Sequence, residues 1–344
     1  MRPLPRLTAV LLSAAFALVI CGCGKKSTQD VLKPAAQPPP PNPEHVVAVV
    51  NDTPLTWADM EKRAMGFLKD DIETNHLIVP TNRMEEAKEH FRRRSISAFV
   101  FKTVMMDEAA KNKITLTPAD RQDGLKNLAI ALKTRNWTTN DYFLKGPMGE
   151  ATMRSEFEDG LLIDKLLKTQ VRSKLKIGNQ EIADMIALID ATNDLKRVTL
   201  EGVRKQLAEG ADFGDVARNL SECASAKNGG DLGELARGKM PKAFDDAAFA
   251  QEIGTISPVV ATPYGYHLIK VNAHTPAKEA TASTPAVPET IRASHILLKQ
   301  IPVDRKQITD SILRAKFKAG VDTYYRELKA NAKIECYLYK DMKF

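Results

Sequence analysis

Residues 221–271 read SECASAKNGGDLGELARGKMPKAFDDAAFAQEIGTISPVVATPYGYHLIKV, and this stretch decides the fold of the C-terminal half of the chain. The glycines of GGDLG at 229–233 predict a turn, because glycine adopts positive φ and lets backbones approach closely. Residues 242–250 predict a short helix with an apolar face. The apolar and β-branched residues at 259–260 and 266–271 predict two strands, separated by a turn that contains Pro and Gly.

Two helices precede this stretch along the chain. An apolar stripe of Leu200, Val203 and Leu207 predicts the first helix, and Gly210 stands where glycine commonly ends a helix. Residues 211–220 predict the second helix. Helices followed by a glycine turn and short strands predict a small α+β domain.

Three blocks of the stretch carry a family resemblance. They are SECASAKNGGDLG at 221–233, GKMPKAF at 238–244 and GYHLI at 265–269. In order and spacing these blocks resemble the motifs of parvulin-type peptidyl-prolyl cis/trans isomerases, and with the flanking helices the resemblance covers residues 200–271. It implies a small antiparallel sheet wrapped by helices, and an enzyme that isomerises X–Pro peptide bonds.

The resemblance also implies the residues of the active site. Its polar floor would be formed by Cys223, His267, His295 and Thr262. Its apolar proline pocket would be lined by Leu232, Met240 and Phe244, with Ser225 close by. Rotation of an X–Pro amide faces a barrier of about 18–20 kcal/mol, set by C–N resonance. An apolar pocket that grips the ring and a dry polar floor that stabilises the twisted amide need no cofactor, metal or covalent step.

One strand of the family pattern stands in an unexpected place. Parvulins begin with a strand reading like ASHIL, whereas here residues 177–196 look helical and IRASHILLK follows later, at 291–299. Because the first and last parvulin strands are antiparallel neighbours, a hairpin through an exposed loop at 272–290 could restore the missing strand by circular permutation. The permutation predicts paired strands, with the rings of His267 and His295 in hydrogen-bonding range. The alternative is a truncated second repeat, for which few residues remain before the helical tail near Gln307.

Other interpretations of the histidines and cysteines are open. His267 and His295 could be a buried pair that orients the strands without taking part in catalysis. Cys223 could be the nucleophile of a Cys/His protease or transferase, but no third orienting residue is evident. Cys223 and Cys336 could form a disulfide or remain separate thiols, and neither has a partner at metal-ligand spacing. Surface positions are predicted for His45, His76, His90 and His274.

The N-terminal half is predicted to be a helical domain led by one strand. HVVAVVN at 45–51 predicts the strand, and Thr56 predicts the N-cap of the first of several helices that continue to about residue 176. VVAVVNDTPLTWADMEKR at 46–63 resembles the start of the SurA/PrsA-like chaperone N-domain, which implies helices that bind peptides.

The C-terminal tail is predicted to form a helix at 307–332 and a short strand at 334–339. An amphipathic helix of this length needs a partner face, and in SurA/PrsA-like proteins it packs on the N-terminal domain. The predicted divisions are a signal peptide, an anchor with a Pro-rich tether, a helical chaperone domain, a parvulin domain and a C-terminal tail, at residues 1–22, 23–44, 45–178, 179–300 and 301–344.

The first residues predict export and lipidation. Arg2 and Arg6 precede an apolar stretch at 7–20, which is the pattern of a secretory signal. Cys23, preceded by a small glycine, resembles the lipidated cysteine of a bacterial lipoprotein; the alternative Cys21 follows a bulky isoleucine. Several acyl chains would anchor the protein stably, facing the periplasm. The glycine after Cys23 leans towards the outer membrane over the inner.

Composition is that of an ordinary soluble protein, with 344 residues and a formal net charge of +7. No dense basic block marks a nucleic-acid groove, and the basic run at 92–94 is interpreted as a solvated helix face. The sequence therefore predicts an isomerase and foldase whose partners are unfolded exported polypeptides with X–Pro bonds, and no nucleic acid. The alternative function is a holding chaperone with a degenerate, non-catalytic parvulin module.

Overall fold

The structure is a computed structural model that describes residues 42–280, 285–342 and 344. The chain divides into two compact units, one formed by the residues up to Lys176 with Leu313–Phe344, the other by Ile177–Ile312. The predicted signal peptide, the predicted lipidation site Cys23 and nearly all of the Pro-rich tether lie outside the described residues. No helix within the described ranges combines the length and apolar character needed to cross a membrane.

Helices and short strands build both units. The helices longer than a 3₁₀ turn are α1 (Trp57–Thr74), α2 (Met84–Lys111), α3 (Pro118–Leu132), α4 (Thr139–Lys145), α5 (Glu150–Gln170), α6 (Asn179–Ala208), α7 (Phe213–Leu220), α8 (Lys242–Phe249) and α9 (Arg305–Ala330). The strands are β1 (Val46–Val50), β2 (Thr53–Thr56), β3 (Asp231–Ala236), β4 (Val260–Thr262), β5 (Gly265–Thr275), β6 (Thr290–Lys299) and β7 (Ile334–Cys336). This mixture confirms the predicted α+β class.

The first unit joins the two ends of the described chain in one sheet. Its strands are antiparallel in the order β2-β1-β7, and Ala48 of β1 pairs with Cys336 of β7. Thr56 caps α1 as predicted, because its hydroxyl accepts a hydrogen bond from the Asp59 N–H at 3.2 Å. In α9, Val321 is buried in one cluster with residues of α2 and α5. From Leu313 onward the C-terminal tail is therefore part of the helical unit.

The basic run on α2 is only partly a solvated face. Arg92 is 8% exposed, and its guanidinium donates two hydrogen bonds to Glu61 at 2.7 and 2.9 Å. The prediction of a solvated face is wrong for this residue, because a buried guanidinium needs a carboxylate partner and finds one on α1. Its neighbours also bind carboxylates: Arg93 binds Asp341, and Arg94 binds Asp71.

The second unit is built on a four-stranded antiparallel sheet in the order β3-β6-β5-β4. One face, with Leu268 and Ile296, packs on α6 and α7. The other face, with Ile269 and Ala293, packs on Phe244 of α8. Strand alternation thus separates two small cores, and the predicted site residues His267 and His295 lie on the α8 face.

The β5–β6 hairpin is longer than the sequence predicts. Its pairing runs from Gly265 opposite Lys299 to Thr275 opposite Thr290, which confirms the predicted pairing of the two segments. The predicted loop at 272–290 is wrong at both ends, because 272–275 and Thr290 belong to the strands. A register shift between Val271 and Ala273 breaks the period-two alternation there, so the sequence pattern hides the extension.

Candidate active site

Two buried histidines lie at the centre of the second unit's sheet. His267 on β5 and His295 on β6 are 2% and 3% exposed, and their Nδ1 atoms are 3.2 Å apart. They are not directly opposite in the ladder: His267 pairs with Leu297, and His295 with Ile269. The rings therefore meet diagonally across adjacent strands, within the hydrogen-bonding range that the sequence predicts.

A hydroxyl closes each end of the histidine pair. The Thr262 Oγ1, at the end of β4, lies 2.8 Å from the His267 Nε2. The Ser225 Oγ, in the 3₁₀ turn Ala224–Asn228, lies 3.2 Å from the His295 Nε2. The result is a polar chain, Thr262–His267–His295–Ser225, in which all four ring nitrogens have a partner. It needs one proton on each ring, because the two facing Nδ1 atoms must be one donor and one acceptor.

Burial keeps both imidazoles neutral. Desolvation, and then the neighbouring His295, lower the pKa of His267 to about 4. Desolvation also lowers the pKa of His295 to about 4. A second proton on the ring whose Nδ1 is the acceptor would place two donors face to face, and burial would leave the charge on either ring poorly solvated. Near neutral pH the chain is thus polar but uncharged.

The predicted proline-pocket residues come together beside this chain. Phe244 is fully buried, and its ring stands edge-on to His267 and His295 at centroid distances of 5.4 and 5.9 Å. Leu232 and Met240 are half-buried and pack in the same cluster as Phe244. An apolar wall and a polar chain therefore share one face of the sheet.

Cys223 is placed differently from the other predicted floor residues. It is half-buried and immediately precedes the turn that carries Ser225. Its backbone N–H donates to the Ser221 Oγ at 3.4 Å, while no hydrogen bond joins its thiol to either ring in the described part of the chain. Cys223 and Cys336 are free thiols, so the disulfide interpretation is wrong.

The GGDLG turn is required by the approach of β6. Gly230 has a φ of +83°, and a Cβ there would stand 2.4 Å from the His295 carbonyl oxygen. The His295 N–H in turn donates to the Gly230 carbonyl at 2.9 Å. The turn thus holds the backbone of His295 directly, which explains why glycine is needed at this position.

Sequence reasoning missed a second polar group near the pocket. This group has two parts. Asp245 on α8 is only 5% exposed. Arg237, which follows β3, forms an ion pair with Glu289 at 2.8 Å. An acidic residue directly after Phe244 was the available signal for Asp245, but it reads as an ordinary first-turn helix acid. His45, His76 and His90 are exposed as predicted, whereas the surface prediction is wrong for His274, which is half-buried against Glu289.

Comparison with known proteins gives a consistent pattern. The family described as "Rotamase: PPIC-type PPIASE domain" matches residues 189–273, a range that includes His267 and ends before the strand of His295. The chain is 26% identical to the chaperone SurA of Burkholderia lata over 353 residues, covering 92% of this chain and 74% of that protein.

Two further relatives are more similar over shorter ranges. The foldase protein PrsA of Geobacillus sp. (strain WCH70) is 30% identical over 207 residues, which cover 57% of this chain and 72% of the relative. The peptidyl-prolyl cis-trans isomerase Pin1 of Digitalis lanata is 45% identical over 86 residues, which cover 24% of this chain and 73% of the relative.

Proposed function

The chain belongs to the SurA- and PrsA-like parvulin peptidyl-prolyl isomerases, and from this we propose that the pocket around His267 and His295 carries out the isomerisation. The protein is a peptidyl-prolyl cis/trans isomerase and a chaperone, and its clients are unfolded polypeptides. The alternative of a non-catalytic holding chaperone is not favoured.

The mechanism we propose is stabilisation of the twisted amide. The substrate's proline ring would pack on Leu232, Met240 and Phe244, which leaves its amide over the chain from Thr262 to Ser225. At the transition state C–N resonance is lost, so the amide differs most from the ground state in its polarity and hydrogen bonding. Neutral, pre-aligned imidazoles in a dry site favour that form without reorganising water. No bond to the enzyme forms.

One observation carries this assignment: Phe244 stands edge-on to both histidines, which puts the apolar wall and the polar chain in contact. A protease-coupled assay on X–Pro peptides tests it. Met240→Ala should raise KM by about tenfold by removing apolar contact with the ring, a loss of roughly 1–2 kcal/mol. Unchanged kinetics of this variant and of Phe244→Ala, with both proteins folded, would refute the pocket assignment.

Cys223 enters the proposal as a border residue of the polar floor. The family motif at 221–233 implies this role, and the position of Cys223 directly before the Ser225 turn supports it. We assign it no covalent role. A reagent that modifies the thiol should therefore slow the enzyme only when its adduct is bulky, and unchanged activity after methylthiolation with a methanethiosulfonate would support this.

The order of the strands leads to a second proposal, that the parvulin domain is circularly permuted. It is supported by the position of β6, which lies between β3 and β5 and carries the ASHIL-like segment, and by the family match that ends at residue 273. A variant of the full chain with residues 290–299 moved ahead of α6 tests it. Retained folding and isomerase activity would support permutation, and an inactive or unfolded product would oppose it.

For location we propose a lipoprotein of the bacterial envelope, anchored through Cys23 and facing the periplasm. The support is the signal pattern at 7–20, the small residue before Cys23 and the Pro-rich tether that follows. Metabolic labelling with a radioactive fatty acid should mark the wild type and Cys21→Ser but not Cys23→Ser. If Cys21→Ser lost the label and Cys23→Ser kept it, the lipidated residue would be Cys21 and not Cys23. Separation of the two membranes on a sucrose gradient would show whether the protein lies in the outer membrane, which Gly24 favours, or in the inner membrane.

For the domains we propose a division of labour. Residues 45–178 would bind unfolded segments of clients, and residues 179–300 would isomerise their X–Pro bonds. Of the predicted tail at 301–344, the part from Leu313 completes the helical unit. The support is the resemblance of 46–63 to the SurA/PrsA-like N-domain. Photo-cross-linking from positions in α1 and α5 to a denatured client should succeed even when Phe244→Ala has removed isomerase activity.

A further inference from the structure

The loop between β3 and α8, residues 237–241, carries Met240 of the proposed pocket. Two side chains outside the histidine chain hold this loop. We propose that Asp245 and Glu289 are positioning residues that fix the loop and thereby set the place of Met240 in the proline pocket. This inference rests on the assignment of Met240 to the pocket made above.

Asp245 holds the loop from the helix side. Its Oδ2 accepts a hydrogen bond from the Gly238 N–H at 2.6 Å, and Gly238 has a φ of +88° that favours glycine. Its Oδ1 is buried and has no hydrogen-bond partner within the described residues. Burying a carboxylate this incompletely paired is costly, so the contact it does make accounts for its position. Phe244 precedes it directly, so pocket wall and loop support are adjacent on α8.

Glu289 holds the loop from the hairpin side. Its Oε2 accepts from the Arg237 Nε and Nη2 at 2.9 and 2.8 Å. The guanidinium lies over the ring of Phe249 with its carbon 4.2 Å from the centroid. The Glu289 Oε1 is 2.9 Å from the His274 Nε2. Arg237 is thus held between the end of α8 and the β5–β6 hairpin by charge-assisted and cation–π contacts.

The β5–β6 hairpin, which supplies Glu289 and His274, also helps to hold the loop that carries Met240. His274 lies in the part of β5 beyond Val271, and Glu289 lies in the loop directly before β6, the strand of His295. The segment that returns the chain to β6 therefore also supports the wall of the pocket. Loosening it should weaken substrate binding while leaving the polar chain of the histidines in place.

Kinetics and a direct signal from Met240 test the proposal in the full chain. Asp245→Ala should raise KM for X–Pro peptides by about tenfold with kcat within about twofold, and Glu289→Gln should raise it by about threefold. Asp245→Asn keeps an acceptor for the Gly238 N–H and should return KM to within about twofold of wild type. In protein labelled at the methionine methyl groups, the Met240 resonance should shift in Asp245→Ala and Glu289→Gln and return in Asp245→Asn.

Asp246→Ala is the matched control. Asp246 is the next residue of α8, is exposed, and pairs only with Lys242, at 2.6 Å, among the contacts of the described chain. KM and the Met240 signal should both stay at their wild-type values in this variant. The proposal would be overturned if Asp245→Ala and Asp246→Ala had the same KM and the same Met240 resonance. It would also be overturned if KM of Asp245→Asn stayed as high as that of Asp245→Ala. Met240→Ala with an unchanged KM would instead refute the pocket assignment, and the Met240 resonance would still report whether Asp245 holds the loop.

Discussion

His267 and His295 face each other through their Nδ1 atoms, 3.2 Å apart, on neighbouring antiparallel strands. The contact is a hydrogen bond only when one nitrogen carries a proton and the other does not. Protonation of both Nδ1 atoms would therefore break it. Both ends of the pair are occupied by hydroxyls, and both rings are almost fully buried. A second proton on the ring whose Nδ1 is the acceptor would place two donors face to face, and burial would leave a charge on either ring poorly solvated.

The first prediction is a loss of stability in acid. The pKa of each histidine falls from 6.5 in the unfolded chain to about 4 in the fold. Below pH 6.5 the unfolded state therefore binds protons that the folded state refuses, so stability falls as the pH drops from 6.5 towards 4. Replacing both rings by Gln should remove a loss of about 5 kcal/mol between pH 7 and 4.5, about half of it from each ring. Urea unfolding of wild type and double variant measures it; parallel pH curves would contradict it.

The second prediction is that the two histidines act as a unit. His267→Ala and His295→Ala should each lower kcat/KM by at least about tenfold, because each leaves a buried nitrogen of the other ring unpaired. The double variant should be scarcely worse than either single one, since the same chain is already broken. Additive losses on a logarithmic scale in the coupled assay would mean that the rings act separately. Circular dichroism on all three variants checks that they fold.

Much of this site could be predicted from the sequence, because its parts are local. The GGDLG turn, the α8 helix with Phe244 and the Thr262–His267 contact across a tight turn all arise within a few residues of chain. Local patterns of glycine and alternating apolar residues are sufficient for these.

The missing parts depend on residues far apart in the chain. The full hairpin is hidden because the irregularity after Val271 removes the strand period. Asp245 reads as a first-turn helix acid, and only the loop from β3 buries it. The role of Glu289 requires Arg237, a partner 52 residues away, so no local pattern predicts the pair.

The third prediction separates the thiol from the hydroxyl in the 3₁₀ turn region. Cys223→Ser should keep kcat/KM within about threefold of wild type, because the thiol makes no hydrogen bond with the rings among the described residues. Ser225→Ala should lower it by about tenfold, because the His295 Nε2, 3.2 Å from the Ser225 Oγ, loses its partner. The same peptide assay measures both. A larger loss for Cys223→Ser than for Ser225→Ala would reverse their roles.

The last prediction concerns the turn that fixes His295. Gly230→Ala should destabilise the protein by about 2–4 kcal/mol, because it combines an unfavourable positive φ with a clash at the backbone of β6. The new Cβ would stand 2.4 Å from the His295 carbonyl oxygen. Because β6 is a central strand of the sheet, this oxygen cannot easily move away.

Gly233→Ala, three residues further on in β3, is the matched control. Gly233 has a φ of +71° and nothing within 4 Å of an added Cβ, so only the backbone cost of about 1 kcal/mol remains. Urea unfolding at pH 7.5 compares the two variants. Because Gly230→Ala also pushes His295 away from His267, its isomerase activity should fall further than its loss of folded protein explains. Equal free energies of unfolding for the two variants would show that β6 yields to the added methyl group and that the turn does not hold His295 in place.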